Sequence, residues 1–166
     1  KLSAKLAQPE AEMLQRGTDM IVNQVQAMKR MVDDFRDYAR LPVPEVAPLD
    51  LEALISEVLG LYESSSAKIE TRFAGNLPKV LGDATQLRQV IHNLLRNSED
   101  ALEGRAEMTI SISTGVTGGQ ARMLIADNGP GFPVELLPRI FEPYVTTKAR
   151  GTGLGLPIVK KIVEEH

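Results

Sequence analysis

The sequence predicts an α+β protein: a two-layer α/β sandwich, with a mixed, mainly antiparallel sheet and helices on one face, behind one long coiled-coil or bundle helix. Three observations carry this prediction. Apolar residues over about 10–40 recur in a four–three alternation. Three prolines, Pro42, Pro44 and Pro48, then fall within seven residues. Beyond them, amphipathic helical stretches and alternating strand-like stretches share one folded unit.

Composition is compatible with such a unit and excludes several function classes. The chain has 166 residues, 43% hydrophobic and 25% charged, enough apolar material for a core. Its 19 basic and 22 acidic residues leave a net charge of -3. Nothing in that balance recommends a nucleic-acid or anionic-membrane surface. Cysteine is absent, which removes disulfides, thiol catalysis and Cys-ligated metals. Two histidines, His92 and His166, leave little for a catalytic triad or a multi-His metal centre. No apolar run approaches the roughly 20 residues that span a bilayer, and the first residues do not read as a signal peptide.

The elements follow in order. Leu14, Thr18, Ile21, Val25, Met28, Val32, Phe35 and Ala39 form a heptad seam, with Thr18 its weak member. Arg16, Asp19, Lys29, Arg30, Asp33, Asp34 and Arg36 lie off it. Such a seam needs a partner helix, in the same chain or in a second copy. The helix ends at Leu41, and residues 42–49 form a stiff proline-rich linker. The expected organisation is therefore a partial helical region over 1–41, the linker, and a second domain over 50–166.

Asp50 is an expected N-cap for a helix over about 51–64. Residues 68–74 alternate and predict a strand, and 79–81 a second short one. Asp83 caps a helix over about 84–102, with Leu87, Val90, Ile91, Leu94, Leu95 and Leu102 apolar. Strands over about 107–114 and 120–126 flank a glycine-rich hairpin loop, 115–119. A short helix is expected near 134–140, and a last one from about 153–155 to Glu165.

Three patches carry chemistry. On the 84–102 helix, Asn93 and Asn97 stand four apart, so their amides share a face. An amide oxygen suits magnesium, and neighbouring Arg96 suits phosphate; two solvated asparagines are the plain alternative. Second, Asp127-Asn-Gly-Pro-Gly131 follows an apolar strand. A carboxylate there can accept from an exocyclic amine, although an Asn-Gly turn with a capping Asp gives the same letters. Third, Gly151, Gly153 and Gly155 alternate into a helix start, with Lys148 just upstream. Free N–H groups and the helix dipole would make an anion site, with a merely flexible loop as the plain alternative. Neither a Walker A loop nor the Rossmann glycine pattern is present.

The order and spacing of these patches, with Phe141-Glu-Pro-Tyr144 between the second and third, resemble the ATP-binding domain of sensor histidine kinases. The wider superfamily includes DNA gyrase, the MutL repair protein and a heat-shock chaperone. The resemblance covers about 50–166 and implies the Bergerat-type ATP-binding fold. Thr146-Thr147-Lys148 is similar to the nitrogen-regulation branch, the NtrB- and NtrY-like kinases. The segment from Glu12 to Pro42 resembles the second dimerisation helix of an NtrY-like kinase.

By that resemblance, Asn97 would ligand magnesium on the ATP phosphates. Asn93 would position or assist the phosphoacceptor as the catalytic residue. Asp127 would accept from the adenine amine, with Gly129 and Gly131 letting the base approach. Thr147, Lys148, Gly151, Thr152, Gly153, Leu154 and Gly155 would form the lid over the triphosphate, with Phe141 anchoring its base. Arg96 and Asp100 would be phosphate-side or water-mediated partners. The family's lysine after the second Asn is not evident: Asp100 stands in that neighbourhood, and Arg96 is its substitute. Residues 42–166 carry 12 basic and 16 acidic residues, net -4, so ATP must be held by magnesium, aimed amides and a few local cations.

The resemblance also implies a protein-histidine kinase of a two-component system, with ATP and Mg2+ as cofactors. It implies a response-regulator partner and a homodimer through the N-terminal helix, in the cytoplasmic portion of a membrane-anchored sensor. The histidine box of the first dimerisation helix is not found in this sequence, and residues 1–8 look like the end of that helix. The expectation is a chain that starts downstream of the phosphoacceptor and does not phosphorylate itself. His92, one position before Asn93, is expected to pack. Two other readings stand beside this one. A gyrase- or MutL-type ATPase clamp would carry Glu in place of Asn93 and lack the heptad helix. A non-catalytic nucleotide-binding dimerisation module would have a degenerate site.

Overall fold

A computed structural model describes residues 8–39, 41–148 and 151–166. Residues 1–7, most of the stretch read as the end of a preceding helix, lie outside the described residues, as do the side chains of Arg30 and Asp34.

Helix α1 spans Gln8–Ala39. Its heptad seam faces outward: Ile21, Val25, Met28, Val32 and Phe35 are each at least 50% exposed. Thr18 at the weak position turns its hydroxyl back to the Leu14 carbonyl, 2.8 Å away. The last turn packs onto the rest of the chain. Tyr38 and Leu41 lie against an apolar cluster of Val90, Leu154, Ile158, Val159 and Ile162, and Lys161 Nζ sits 5.9 Å from the Tyr38 ring centroid.

The end of the proline-rich stretch is not a free tether. Ala47–Leu49 form strand β1, antiparallel to β3, Val80–Gly82. Pro48 is tolerated because the sheet has two strands, so each strand needs donors on one edge only. The linker is tied at two more points: Gln86 Nε2 donates to the Pro42 carbonyl at 2.9 Å, and Glu45 N–H to Asp83 Oδ2 at 2.9 Å.

Helix α2, Leu51–Gly60, is capped by Asp50, which accepts from Ala53 N–H. It ends earlier than the expected Ser64: Gly60 is a poor helix former, and beyond it the Leu61 and Tyr62 N–H groups turn back to the Val58 and Leu59 carbonyls in tighter three-residue turns. Strand β2, Lys68–Arg72, runs parallel to β4, Thr109–Thr117, and β4 runs antiparallel to β5, Gln120–Asp127. The hairpin loop is shorter than the five residues read from composition. Pairing continues to Thr117↔Gln120, and only Gly118 and Gly119 turn. Both have positive φ, 60° and 81°, the conformation that a two-residue turn between twisted strands demands.

Helix α3, Ala84–Leu102, starts where Asp83 Oδ1 accepts from Thr85 and Gln86 N–H. It crosses between β3 and β4 and lies on the three-stranded sheet. Ile91, Leu95 and Leu102 meet Ile110 and Ile112 of β4 and Ile55 of α2, and all six are fully buried. At roughly 1.5–3 kcal/mol per buried aliphatic side chain, this contact fixes α3 on the sheet. A 3₁₀ helix, Val134–Arg139, follows β5, and helix α4 spans Gly155–Glu165. The result is the mixed-sheet α+β sandwich that the sequence predicts. No described helix is long and apolar enough to cross a membrane.

Candidate functional site

The site forms at one end of α3, where that helix, the β5 terminus and the loop entering α4 meet. Helical period decides which side chains point there. Asn93, Asn97 and Asp100 recur at the four–three spacing of one face, while Leu95 and Leu102 point to the sheet. Asn97 Oδ1 and Asp100 Oδ2 both accept from Lys148 Nζ, at 3.1 and 2.8 Å. One amide oxygen and one carboxylate oxygen thus converge on a single cationic centre. Lys148 comes from the distal loop, where Thr146 Oγ1 accepts its backbone N–H at 3.1 Å and its carbonyl accepts Gly151 N–H.

The start of α4 faces the same amides. A Cβ added at Gly155 would stand 3.7 Å from Asn97 Nδ2 and 3.9 Å from Asn93 Oδ1. Asn93 Nδ2 is buried without a hydrogen-bond partner. No side chain caps α4, and Pro157 in its first turn has no N–H. An uncapped helix N-terminus beside two amides is a ready anion site. Leu154, fully buried in the second cluster, pins the loop at this point.

Gly153 is the residue the loop cannot replace. Its φ is +69°, and an added Cβ would come within 2.6–2.8 Å of Tyr144 and Val145 backbone atoms. Its carbonyl accepts Tyr144 N–H at 3.1 Å, and Tyr144 itself has φ 66°. Two chain segments therefore cross here at backbone contact.

The third wall is Asp127, the last residue of β5. Its Oδ1 accepts Gly129 N–H at 2.9 Å and its Oδ2 accepts the Ser98 hydroxyl at 3.1 Å. Gly129 lies close to α3: an added Cβ would be 3.2 Å from the Ala101 Cβ. Asn128 serves the strand end, not the site. Its amide accepts from Thr109 N–H and donates to the Glu107 carbonyl.

Of the residues expected at the site, the structure brings together Asn93, Asn97, Asp100, Lys148 and Gly155, with Asp127 and Gly129 linked to the same helix through Ser98 and Ala101. Arg96 and Thr147 are exposed, as is Gly131, whose φ is +72°. Phe141 is 45% exposed and in neither apolar cluster. Thr152, with Gly151, edges a cleft of about 540 Å3 between the loop and α1, lined on the α1 side by Met20, Met28 and Met31. His92 packs as expected: its Nδ1 is 3.1 Å from the Tyr62 hydroxyl, with ring centroids 5.6 Å apart. Burial pushes the Tyr62 hydroxyl's pKa up, helped by Glu99 and opposed by Arg96. Sequence reasoning missed Ser98 as a site residue. The signal was present: Ser98 is a polar residue on the apolar face, three after Leu95 and four before Leu102.

An α+β sandwich whose long helix presents two amides to a glycine-rich helix start, with a strand-end carboxylate beside it, defines a nucleotide-binding ATPase class. The chain belongs to the histidine kinase-, DNA gyrase B- and HSP90-like ATPase family, whose sequence model matches residues 82–166. It is 38% identical over 149 residues to a putative NtrY-like sensor histidine kinase of Rickettsia conorii, covering 89% of this chain and 25% of that protein. Among solved structures, it is similar to the histidine kinase ThkA in complex with the response regulator TrrA, with TM-score 0.74 and 29% identity, over 96% of this chain and 46% of that one. It is also similar to full-length ShkA in complex with AMPPNP, with TM-score 0.70 and 27% identity, over 95% and 33%. The chain spans about a quarter of the length of the first of these relatives.

Proposed function

We propose that this chain is the catalytic ATP-binding part of a two-component sensor histidine kinase of the NtrY-like branch. It holds ATP so that the γ-phosphate transfers to a histidine of a dimerisation helix, for relay to a response-regulator aspartate. The observation that carries this reading is the convergence of Asn97 Oδ1, Asp100 Oδ2 and Lys148 Nζ beside the uncapped start of α4. Phosphoryl transfer needs alignment and charge compensation, and this cluster supplies both.

Magnesium fits the donor set. A lysine ammonium stands in for a cation between two hard oxygens. Among the described residues no group of three or more His, Asp or Glu could hold a metal alone. The ion would therefore arrive with the nucleotide phosphates, held to the protein by Asn97 with Asp100 nearby. Once bound, it would neutralise phosphate charge. The Asn93 amide, with its unpartnered N–H2, is left to orient the phosphates or the acceptor. Lys148, displaced from Asn97 and Asp100, turns its ammonium to the triphosphate. Gly151 and Thr152 begin the lid, Gly153, Leu154 and Gly155 present backbone N–H groups to the triphosphate, and Leu154 burial keeps that loop in place. Asp127 accepts from the adenine amine. Arg96, exposed one position before Asn97, adds a cation near the phosphates.

Two features support the larger assembly. The α1 seam is exposed along its length, as a homodimer helix before pairing would be. The cleft between α1 and the lid edge also gives an acceptor helix a route to the phosphates. The ThkA–TrrA and ShkA–AMPPNP neighbours point to a response regulator and to ATP as partners. The test is a titration with a non-hydrolysable ATP analogue, with and without magnesium. It is paired with phosphorylation of a supplied histidine-bearing dimerisation helix. Tight magnesium-dependent binding and acid-labile phosphate on the supplied helix are expected; absence of nucleotide binding would end the reading.

A further inference from the structure

Ser98 is 5% exposed on α3, and its hydroxyl goes to Asp127 Oδ2 at 3.1 Å. A mid-helix serine ordinarily donates to a carbonyl one turn back; here the single proton leaves the helix for the strand end. The other Asp127 oxygen takes Gly129 N–H at 2.9 Å. Each carboxylate oxygen is therefore tied by one donor, and the donors come from different elements: a turn glycine and a helix interior. Rotation of the carboxylate would break one bond or the other, so its plane is fixed. Asp127 itself remains exposed. An ionised carboxylate has about four lone-pair positions, and about two are left for a ligand.

We infer that Ser98 is a positioning residue for base selection. By fixing the Asp127 carboxylate, it makes this end of the site read an exocyclic amine on the ligand's base. This inference rests on the reading of the site as an ATP site and adds to it the residue that sets base preference. The chemistry follows from donor and acceptor roles. With its proton committed to Asp127, the Ser98 oxygen is an acceptor, and so is the carboxylate. Adenine offers an amino donor at its six position, where guanine offers a carbonyl acceptor. A carboxylate held facing a carbonyl would leave lone pairs opposed once the ligand covers them, which costs binding more than an absent contact does.

The experiment compares ATP with the purine ribonucleoside triphosphate that lacks the six-amino group, by calorimetry on the full chain. The variants are Ser98→Ala and Ser98→Cys. The thiol keeps the size but is a weak donor. The unaltered chain should prefer ATP. Ser98→Ala should weaken ATP on the order of tenfold or more, as for one lost hydrogen bond to a charged group, and leave the amino-free analogue within about twofold. Ser98→Cys should fall between. Equal losses for both nucleotides would overturn the inference in favour of a purely structural serine. Unchanged ATP affinity in both variants would overturn it too. A chain that binds neither nucleotide would overturn the ATP reading itself, a result distinct from either.

Discussion

Gly153→Ala should destabilise the chain while Gly155→Ala should not, although a single residue separates them. At Gly153 the new Cβ would sit 2.6 Å from the Tyr144 carbonyl carbon and 2.8 Å from Val145 N, with φ at +69°. Left-handed backbone costs an ordinary residue about 1–2 kcal/mol, and overpacking adds about 1–3 kcal/mol. The neighbours here are backbone, which cannot rotate away. A loss of about 2–5 kcal/mol translates into a fall in Tm of roughly 4–20 °C for a chain of this size. At Gly155 the new Cβ meets only ordinary contacts, 3.7 and 3.9 Å from the two site amides, at a helix start. Removing a flexible glycine there should leave stability unchanged or raise it by up to about 1 kcal/mol. The same methyl stands between Asn93, Asn97 and the α4 N–H groups. It should cost ATP affinity about tenfold or more, the loss of one hydrogen bond to a charged group. Differential scanning calorimetry and calorimetric ATP titration read both variants. Should Gly153→Ala melt with the unaltered chain, or Gly155→Ala melt well below it, the account of this loop is wrong.

Three further outcomes are expected. Asp127→Asn puts an amide N–H2 against the Ser98 hydroxyl or the Gly129 N–H, and affinity for ATP should fall at least about a hundredfold with circular dichroism unchanged; unaltered binding would remove Asp127 from base recognition. Lys148→Met should lower ATP affinity about tenfold and flatten its salt dependence. Its ion pair is partly exposed, so the Tm should shift by no more than about 4 °C; a large Tm change with intact affinity would make Lys148 a structural tie. Asp83→Asn tests an acid-sensitive link. The Glu45 N–H holds the Asp83 carboxyl below the usual aspartate range. Burial opposes this, while the Gln86 and Thr85 N–H groups and the nearby His166 reinforce it. The unfolded chain then binds the proton more readily, so this contribution to stability is complete above about pH 4 and is lost as pH falls through the lowered value. Asn still caps α3 but does not titrate. The unaltered chain should be the more stable at pH 7, with the gap closing below about pH 4; a gap that stays constant with pH would refute the link.

Local rules made much of the molecule legible in the sequence. The α3 limits follow from the Asp83 cap and the apolar period, and both Asn residues fall on its site face for the same reason. The length of α1 and its one-sided seam follow from the heptad spacing and the proline stop. The chemistry of the three patches was readable because amide, carboxylate and glycine each serve a narrow set of uses at those positions. Where local signals conflicted or were silent, the reading failed. Composition gave the hairpin five loop residues, but strand pairing claimed three of them. Residues 42–49 read as a proline-rich linker, yet an edge strand forms over Ala47–Leu49 because β3 supplies a partner.

By itself the sequence determined the helices, most of the strands, the polar faces and the family of chemistry, because these depend on periodicity, capping and the properties of single residues. Only the tertiary structure decided that β2 pairs in parallel with β4, that Lys148 reaches Asn97 across 51 positions, and that Ser98 reaches Asp127 across 29. Those contacts depend on packing α3 against the sheet and burying Leu154. The fully buried Ile91, Leu95 and Ile110 set where the polar atoms of distant segments can meet, and no local pattern encodes that distance.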